Sequence, residues 1–200
     1  MSKDIDNLND SETMQEKSAI YKFFQPFIYI WKNFKSVIIT FFVVLFIFNF
    51  IILNGNVPSS SMENTIMTKD HIIAFRLAYW FDNPQHGDII IFNSEQSNHK
   101  EYIKRVIGTP GDTIKISDGH VFRNGELLQE DYTQGITDIG DNMLSEFTVP
   151  DDCVFVLGDN RENSRDSRYM SNPYIKYSDI TGKLILRYSI FSNGFFFKPM

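Results

Sequence analysis

The chain has 200 residues, 42% of them apolar and 15% aromatic, with a net charge of −6 and a single cysteine. That length gives one ordinary domain plus an appendage, and the composition excludes a disordered polar chain. Cys153 alone excludes an intramolecular disulfide, and the scattered Lys and Arg residues of a net acidic chain argue against a nucleic-acid partner. His71, His86, His99 and His120 stand singly, without partners at metal-ligand spacing, so neither a zinc site nor a histidine-based triad is expected.

The first predicted element is a membrane span. Residues 1–13, with Asp4, Asp6, Asp10 and Glu12, read as disordered, and 1–35 as a cytoplasmic segment. Ser36–Leu53 is uncharged and apolar all round, and its 18 residues at about 1.5 Å each reach roughly 27 Å, enough to cross a thin bilayer. A core helix would carry a polar face, and a cleavable signal sequence would not follow so long a leader. Lys17, Lys22, Lys32 and Lys35 precede the span, whereas the first base after it is Lys69. The positive-inside rule then predicts a cytoplasmic N-terminus and an extracytoplasmic domain over 54–200. Tyr29, Trp31 and Phe34 suit the interface, although Phe23–Trp31 also fits an amphipathic surface helix.

Beyond Asn54-Gly55-Asn56 the pattern changes to short β-branched runs broken by turns, which predicts a mainly β domain. Strands are expected at His71–Phe75, Asp88–Phe92, Tyr102–Ile107, Thr113–Ile116, Cys153–Leu157 and Ile180–Tyr188. Asn124-Gly125, between His120–Phe122 and Leu127–Leu128, is a two-residue hairpin signal, and Pro110-Gly111-Asp112 is a second turn. Gln129–Ser145 is polar and reads as a long loop. Tyr79-Trp80-Phe81 and Phe191–Phe197 suit either the bilayer interface or a core.

Three segments carry residues able to do chemistry. Val57-Pro58-Ser59-Ser60-Ser61-Met62 is a serine cluster just past the span, ordinary as a linker but entering a folded domain at once. A serine needs a base to become a nucleophile, and without a placed histidine lysine is the leading candidate. A lysine serves only if its pKa falls from about 10.4 to roughly 7–8, which apolar burial can bring about. In Glu101–Gly108, strand alternation puts Lys104 and Arg105 on opposite faces, Lys104 beside Tyr102 and Val106. Taken alone, that pair reads as ordinary surface charge. Gly158–Arg168, dense in charge and hydroxyls, reads either as a solvated loop or as a wall that orients a neutral lysine.

Pro58-Ser59-Ser60-Ser61-Met62, Gly87–Phe92, Lys104–Asp112 and Gly158–Arg168 together resemble, in order, the sequence boxes of type I signal peptidases, and the single preceding span is similar to the anchor of one-span bacterial members. The resemblance covers about 150 residues. It implies a membrane-bound endopeptidase of the bacterial cell membrane that acts on exported preproteins bearing signal peptides and cuts after small residues, with no cofactor. It implies Ser61 as nucleophile and Lys104 as general base, with Ser164 hydrogen-bonded to the Lys104 nitrogen. The Ser61 N–H and the Ser59 hydroxyl would form the oxyanion hole, and Arg105, Asp159, Asp166 and Arg168 would support the site. Two departures stand out: Asn64 replaces the proline often found before the threonine here, and the accessory β region shrinks to about 113–152. A repressor-type Ser–Lys protease, the related alternative, would be cytosolic and carry a DNA-binding module.

Overall fold

A computed structural model describes residues 2–94, 100–140, 145–189 and 196–199, so His99 and most of Phe191–Phe197 lie outside the described residues. The chain divides into two compact units, Met1–Ile47 and Phe48–Met200.

The first unit is a single helix, α1, from Ser2 to Phe46. It includes the stretch read as disordered. Met14, Gln15, Glu16 and Lys17 are good helix formers and continue the turn pattern of the apolar run behind them. From Lys22 to Ile51 the chain is long and apolar enough to cross a bilayer, and none of that run is buried by protein. Phe27, Val37 and Phe42 are each more than 60% exposed, an apolar surface that water does not tolerate over this length.

The apolar run read as one span is divided. α1 gives way to a π-helical turn at Ile47–Ile51, and Ile52 and Leu53 already belong to β1 (Ile52–Asn56), where Leu53 is buried in the domain core. β1 pairs antiparallel with β2 (His71–Phe75), with Ile52 opposite Phe75.

The remaining strands are β3 (Ile89–Ser94), β4 (Lys100–Gly108), β5 (Thr113–Ser117), β6 (His120–Arg123), β7 (Glu126–Leu127), β8 (Glu146–Thr148), β9 (Cys153–Leu157), β10 (Tyr174–Lys176), β11 (Ile180–Ser189) and β12 (Phe196–Pro199). They form an antiparallel sheet of order β1-β2-β11-β3-β4-β9-β10, with β12 against β11, and a four-stranded sheet of order β7-β6-β5-β8. The domain is therefore mainly β, as the sequence predicts, with each expected strand present to within two residues at its ends.

Local chemistry accounts for the elements. Ile89-Ile90-Ile91-Phe92 is apolar without alternation because β3 is buried on both faces. Ile89 and Ile91 join one core cluster with Leu53, Met62 and Leu184, while Ile90 and Phe92 join another with Val106 and Val156. A third cluster, including Ile107, Ile114, Val149 and Phe155, fastens the small sheet to the large one. The β6–β7 hairpin closes on Asn124 and Gly125 with φ of 55° and 83°, the two positive angles that a type I′ turn requires.

Candidate active site

Ser61 is held by a short turn that grows out of the β1–β2 pair. Val57 and Lys69–Asp70 extend the ladder beyond the hairpin strands, with Val57 N–H donating to the Asp70 carbonyl at 2.9 Å. The chain then turns back: Glu63 N–H donates to the Ser60 carbonyl and Ile66 N–H to that of Met62. Met62 and Ile66, both fully buried, pin the turn to the core. Asn64 sits in it with φ of 85°, an angle the proline ring forbids, and its side-chain amide donates to the Tyr132 carbonyl at 3.0 Å. At this departure from the usual motif the chain makes a turn that proline could not adopt, closed by the contact to Tyr132.

Lys104 comes from the middle of β4, buried to 2% exposure, with its Nζ 5.6 Å from the centre of the Tyr102 ring. Its Nζ lies 2.7 Å from Ser61 Oγ and donates at 2.9 Å to the Ile103 carbonyl. Burial lowers the Lys104 pKa to about 8, and the carboxylates of Asp166 and Asp159 pull it partly back up. Of the three adjacent serines only Ser61 meets the lysine. Ser60 Oγ instead accepts from the Asn163 amide at 2.7 Å, and Ser59 Oγ is 3.4 Å from Ser61 Oγ. Among the described residues the Ser61 N–H donates to no protein acceptor, whereas its carbonyl accepts from Asn160 N–H at 3.1 Å.

Arg105, on the opposite face of β4, grips Asp159 with two parallel bonds of 2.9 and 2.7 Å, and its third nitrogen donates to the Gly87 carbonyl. Asp166 is fully buried. It accepts from Gly158 N–H at 2.9 Å and from Arg168 Nε and Nη2 at 2.8 and 2.9 Å. Arg168, fully buried as well, also donates to the Arg161 carbonyl and to Asp138. Arg105 thus braces the Gly158–Arg168 loop from β4, and Asp166 and Arg168 brace it from within.

Ser164 is buried in this loop, but it does not hydrogen-bond Lys104; its Oγ makes no hydrogen bond to the described protein. The lysine's remaining bond goes to the Ile103 carbonyl of its own strand, and Ser164 packs against Gly158 instead. A Cβ at Gly158 would lie 2.2 Å from Ser164 Oγ and 2.5 Å from the Ser61 carbonyl oxygen. Glycine is required there because the two segments touch across it.

The sequence reading missed a second layer. Arg161, with its side chain buried, donates to both carboxylate oxygens of Glu130 at 3.0 and 2.6 Å and to the Gly158 carbonyl at 3.1 Å. The Tyr132 ring stacks 4.0 Å from the Arg105 guanidinium, and Gln134 bonds through its backbone to Asp159 and Arg161. Glu130, Tyr132, Gln134 and Asp138 all lie in the segment read only as a polar loop. Arg161 carried a faint signal as a charge inside the Gly158–Arg168 run; the others carried none.

Residues 30–189, well over half of the chain, match the family described as signal peptidase, peptidase S26. The chain is 36% identical over 137 residues to a probable signal peptidase I-2 of Synechocystis sp., covering 66% of this chain and 61% of that relative. It is 37% identical over 139 residues to a signal peptidase I of Leptolyngbya laminosa, covering 66% of each. With a signal peptidase I P of Bacillus subtilis subsp. natto it shares 35% identity over 167 residues, 80% of this chain and 88% of the other. The matched region thus spans a little under two thirds of the first two relatives and most of the third. With its β domain, its facing serine and lysine and these relatives, the chain belongs to the signal peptidase family, peptidase S26.

Proposed function

We propose that this protein is a membrane-anchored serine endopeptidase that removes signal peptides from exported preproteins, with Ser61 as nucleophile and Lys104 as general base. The observation that carries the reading is the 2.7 Å approach of Ser61 Oγ to a lysine nitrogen with 2% exposure. Neutral Lys104 accepts the Ser61 proton as Oγ attacks the scissile carbonyl. The oxyanion that forms is met by the unengaged Ser61 N–H and by the Ser59 hydroxyl, where one donor is typically worth about 3–4 kcal/mol. The Lys104 ammonium then protonates the leaving amine, freeing the mature protein. Water, deprotonated by the same lysine, hydrolyses the acyl-enzyme and releases the signal peptide. The match to signal peptidase relatives supports the substrate class, and the preference for small residues before the cut follows from the resemblance.

The register of the sheet supports a site close to the bilayer. Ile52 lies opposite Phe75, Phe75 opposite Lys183, Lys183 opposite Ile90 and Ile90 opposite Lys104. Lys104 therefore shares a row across the strands with Ile52, the residue that immediately follows the helical part of the apolar run, which ends at Ile51. Signal peptides that cross the same bilayer would meet the serine near the surface at which they emerge.

Cleavage of a preprotein in detergent tests the reading. Wild type should cut after a small residue, with or without EDTA, while folded Ser61→Ala and Lys104→Ala should be inactive. Full activity in Lys104→Ala would move the base elsewhere and overturn the mechanism.

A further inference from the structure

Asn160 takes no part in the proton transfers, yet its bonds converge on the peptides around Ser61. Its side-chain amide donates at 3.1 Å to the Ser60 carbonyl, across 100 positions of sequence. Its backbone N–H donates at 3.1 Å to the Ser61 carbonyl. One buried residue, 7% exposed, thus holds the peptide on either side of the Ser61 Cα.

The Ser60 carbonyl and the Ser61 N–H belong to one planar trans peptide, so they point in opposite directions. A donor that grips this carbonyl therefore aims the N–H, the donor left unengaged by the described protein. The Glu63 N–H reaches the same carbonyl at 3.0 Å, but from within the turn, so it moves with Ser61 as one body. Asn160 is fixed from outside that turn. The Gln134 N–H donates to the Asp159 carbonyl at 2.7 Å, and the Arg161 N–H donates to the Gln134 carbonyl at 2.8 Å, one bond on each side of Asn160. The Asp159 carboxylate is gripped by Arg105, the residue after Lys104 on β4. The amide is thereby referenced to the strand that carries the lysine. A donor on the carbonyl also polarises the peptide and strengthens its N–H as a donor.

We propose that Asn160 is a positioning residue of the oxyanion hole, its side-chain amide aiming the Ser60–Ser61 peptide so that the Ser61 N–H faces the carbonyl oxygen under attack. This inference rests on the reading of Ser61 as nucleophile with Lys104 as its base. Asn160 itself touches neither the substrate nor the reacting atoms. Its effect grows as the oxygen gains charge, so it favours the transition state over the bound substrate.

The test is steady-state cleavage, by the full-length protein in detergent, of a peptide spanning the cleavage site of an exported preprotein. Wild type, Ser61→Ala, Lys104→Ala, Asn160→Ala and Asn160→Leu are compared across pH, with the fold of each checked by circular dichroism. Both Asn160 variants keep the backbone bond to the Ser61 carbonyl and lose only the amide. Their kcat should fall by roughly 10- to 100-fold, short of the loss of a whole oxyanion donor because Glu63 still holds the carbonyl. KM should be unchanged, and the rise of kcat/KM should stay centred on the Lys104 pKa of about 8. Wild-type kcat in folded Asn160→Ala, beside inactive Ser61→Ala and Lys104→Ala, overturns the positioning role and leaves the Ser–Lys reading standing. A lower kcat with a raised KM or a moved inflexion marks a general loosening of the site, and overturns it too. If Asn160→Ala fails to fold, Asn160→Leu, which fills the space, is judged by the same criteria. If Ser61→Ala or Lys104→Ala keeps full activity, the catalytic reading and the positioning role fall together.

Discussion

At the residue scale, the role proposed for Lys104 would set function against stability. Burial lowers its pKa to about 8, so at pH 7 roughly one molecule in ten carries this lysine neutral, the form the proposed mechanism uses. The rate constant kcat/KM should therefore climb as pH rises through about 8, and a profile flat across that range would remove Lys104 as base. The same burial costs folding energy. Below pH 8 both folded and unfolded chains carry the charge, and the full cost is present. Between about 8 and 10.4 the unfolded chain binds more protons, so stability rises with pH and the cost fades. Lys104→Met should abolish cleavage yet stabilise the protein at pH 7 by about 1–3 kcal/mol, a gain that shrinks by pH 10. Unfolding in detergent at the two pH values measures it, and a destabilised Met variant would contradict this account. Gly158 is the other decisive position. Gly158→Ala forces Ser164 and the Ser61 carbonyl apart, and a shift of about 1 Å at a nucleophile can cost on the order of 100-fold in rate. The loss should fall mainly on kcat, with KM little changed; an unchanged kcat would mean that the site does not depend on this contact.

At the scale of elements, the Gly158–Arg168 loop is held by Arg161 and Arg168, each of which also reaches a carboxylate in segment 129–138. The Arg161 side chain is 1% exposed and faces Glu130 at 10%, so Glu130→Gln leaves a buried guanidinium without its counter-charge. A loss of about 3–5 kcal/mol is expected. Asp138→Asn removes a partner that is 63% exposed, while Arg168 keeps both of its bonds to buried Asp166. That change should cost less than about 1 kcal/mol. Denaturant unfolding of the two variants tests the contrast, and equal losses would mean that burial does not set the strength of these pairs. The segment 129–138, irregular by its own sequence, is ordered by what it touches: Arg161, Arg168 and Arg105 each hold one of its side chains, Glu130, Asp138 and Tyr132.

At the scale of the molecule, a long apolar helix and a β domain that carries the serine and lysine form two units of one chain. The bases ahead of Ser36, Lys17, Lys22, Lys32 and Lys35, predict that the domain lies outside the cell and the N-terminus within. Protease added to intact spheroplasts should degrade the domain and spare an epitope placed at the N-terminus; protection of the domain would reverse the orientation. The join between the units also explains where the sequence reading slipped. Ile52 and Leu53 continue the apolar run without a break, yet they form a strand because Phe75 and Ala74 offer a ladder and the core offers Leu53 a place. Hydropathy cannot separate lipid from a protein core as the solvent of a leucine.

Much about this protein was settled by local chemistry alone. Strand positions followed from β-branched runs, the β6–β7 hairpin from Asn124-Gly125, and the opposed faces of Lys104 and Arg105 from the two-residue period of a strand. The four motifs in order pointed to the family, since each needs its own residue types in place. Tertiary structure decided what depends on distance through space. It brought Ser61, rather than Ser59 or Ser60, to the lysine across 43 positions of sequence. It directed the second lysine bond to the Ile103 carbonyl instead of Ser164, and drew Glu130 out of a polar loop to neutralise Arg161. A charge that looks solvent-bound in sequence becomes structural only when folding removes the water around it, and no local pattern records which side chain takes the water's place.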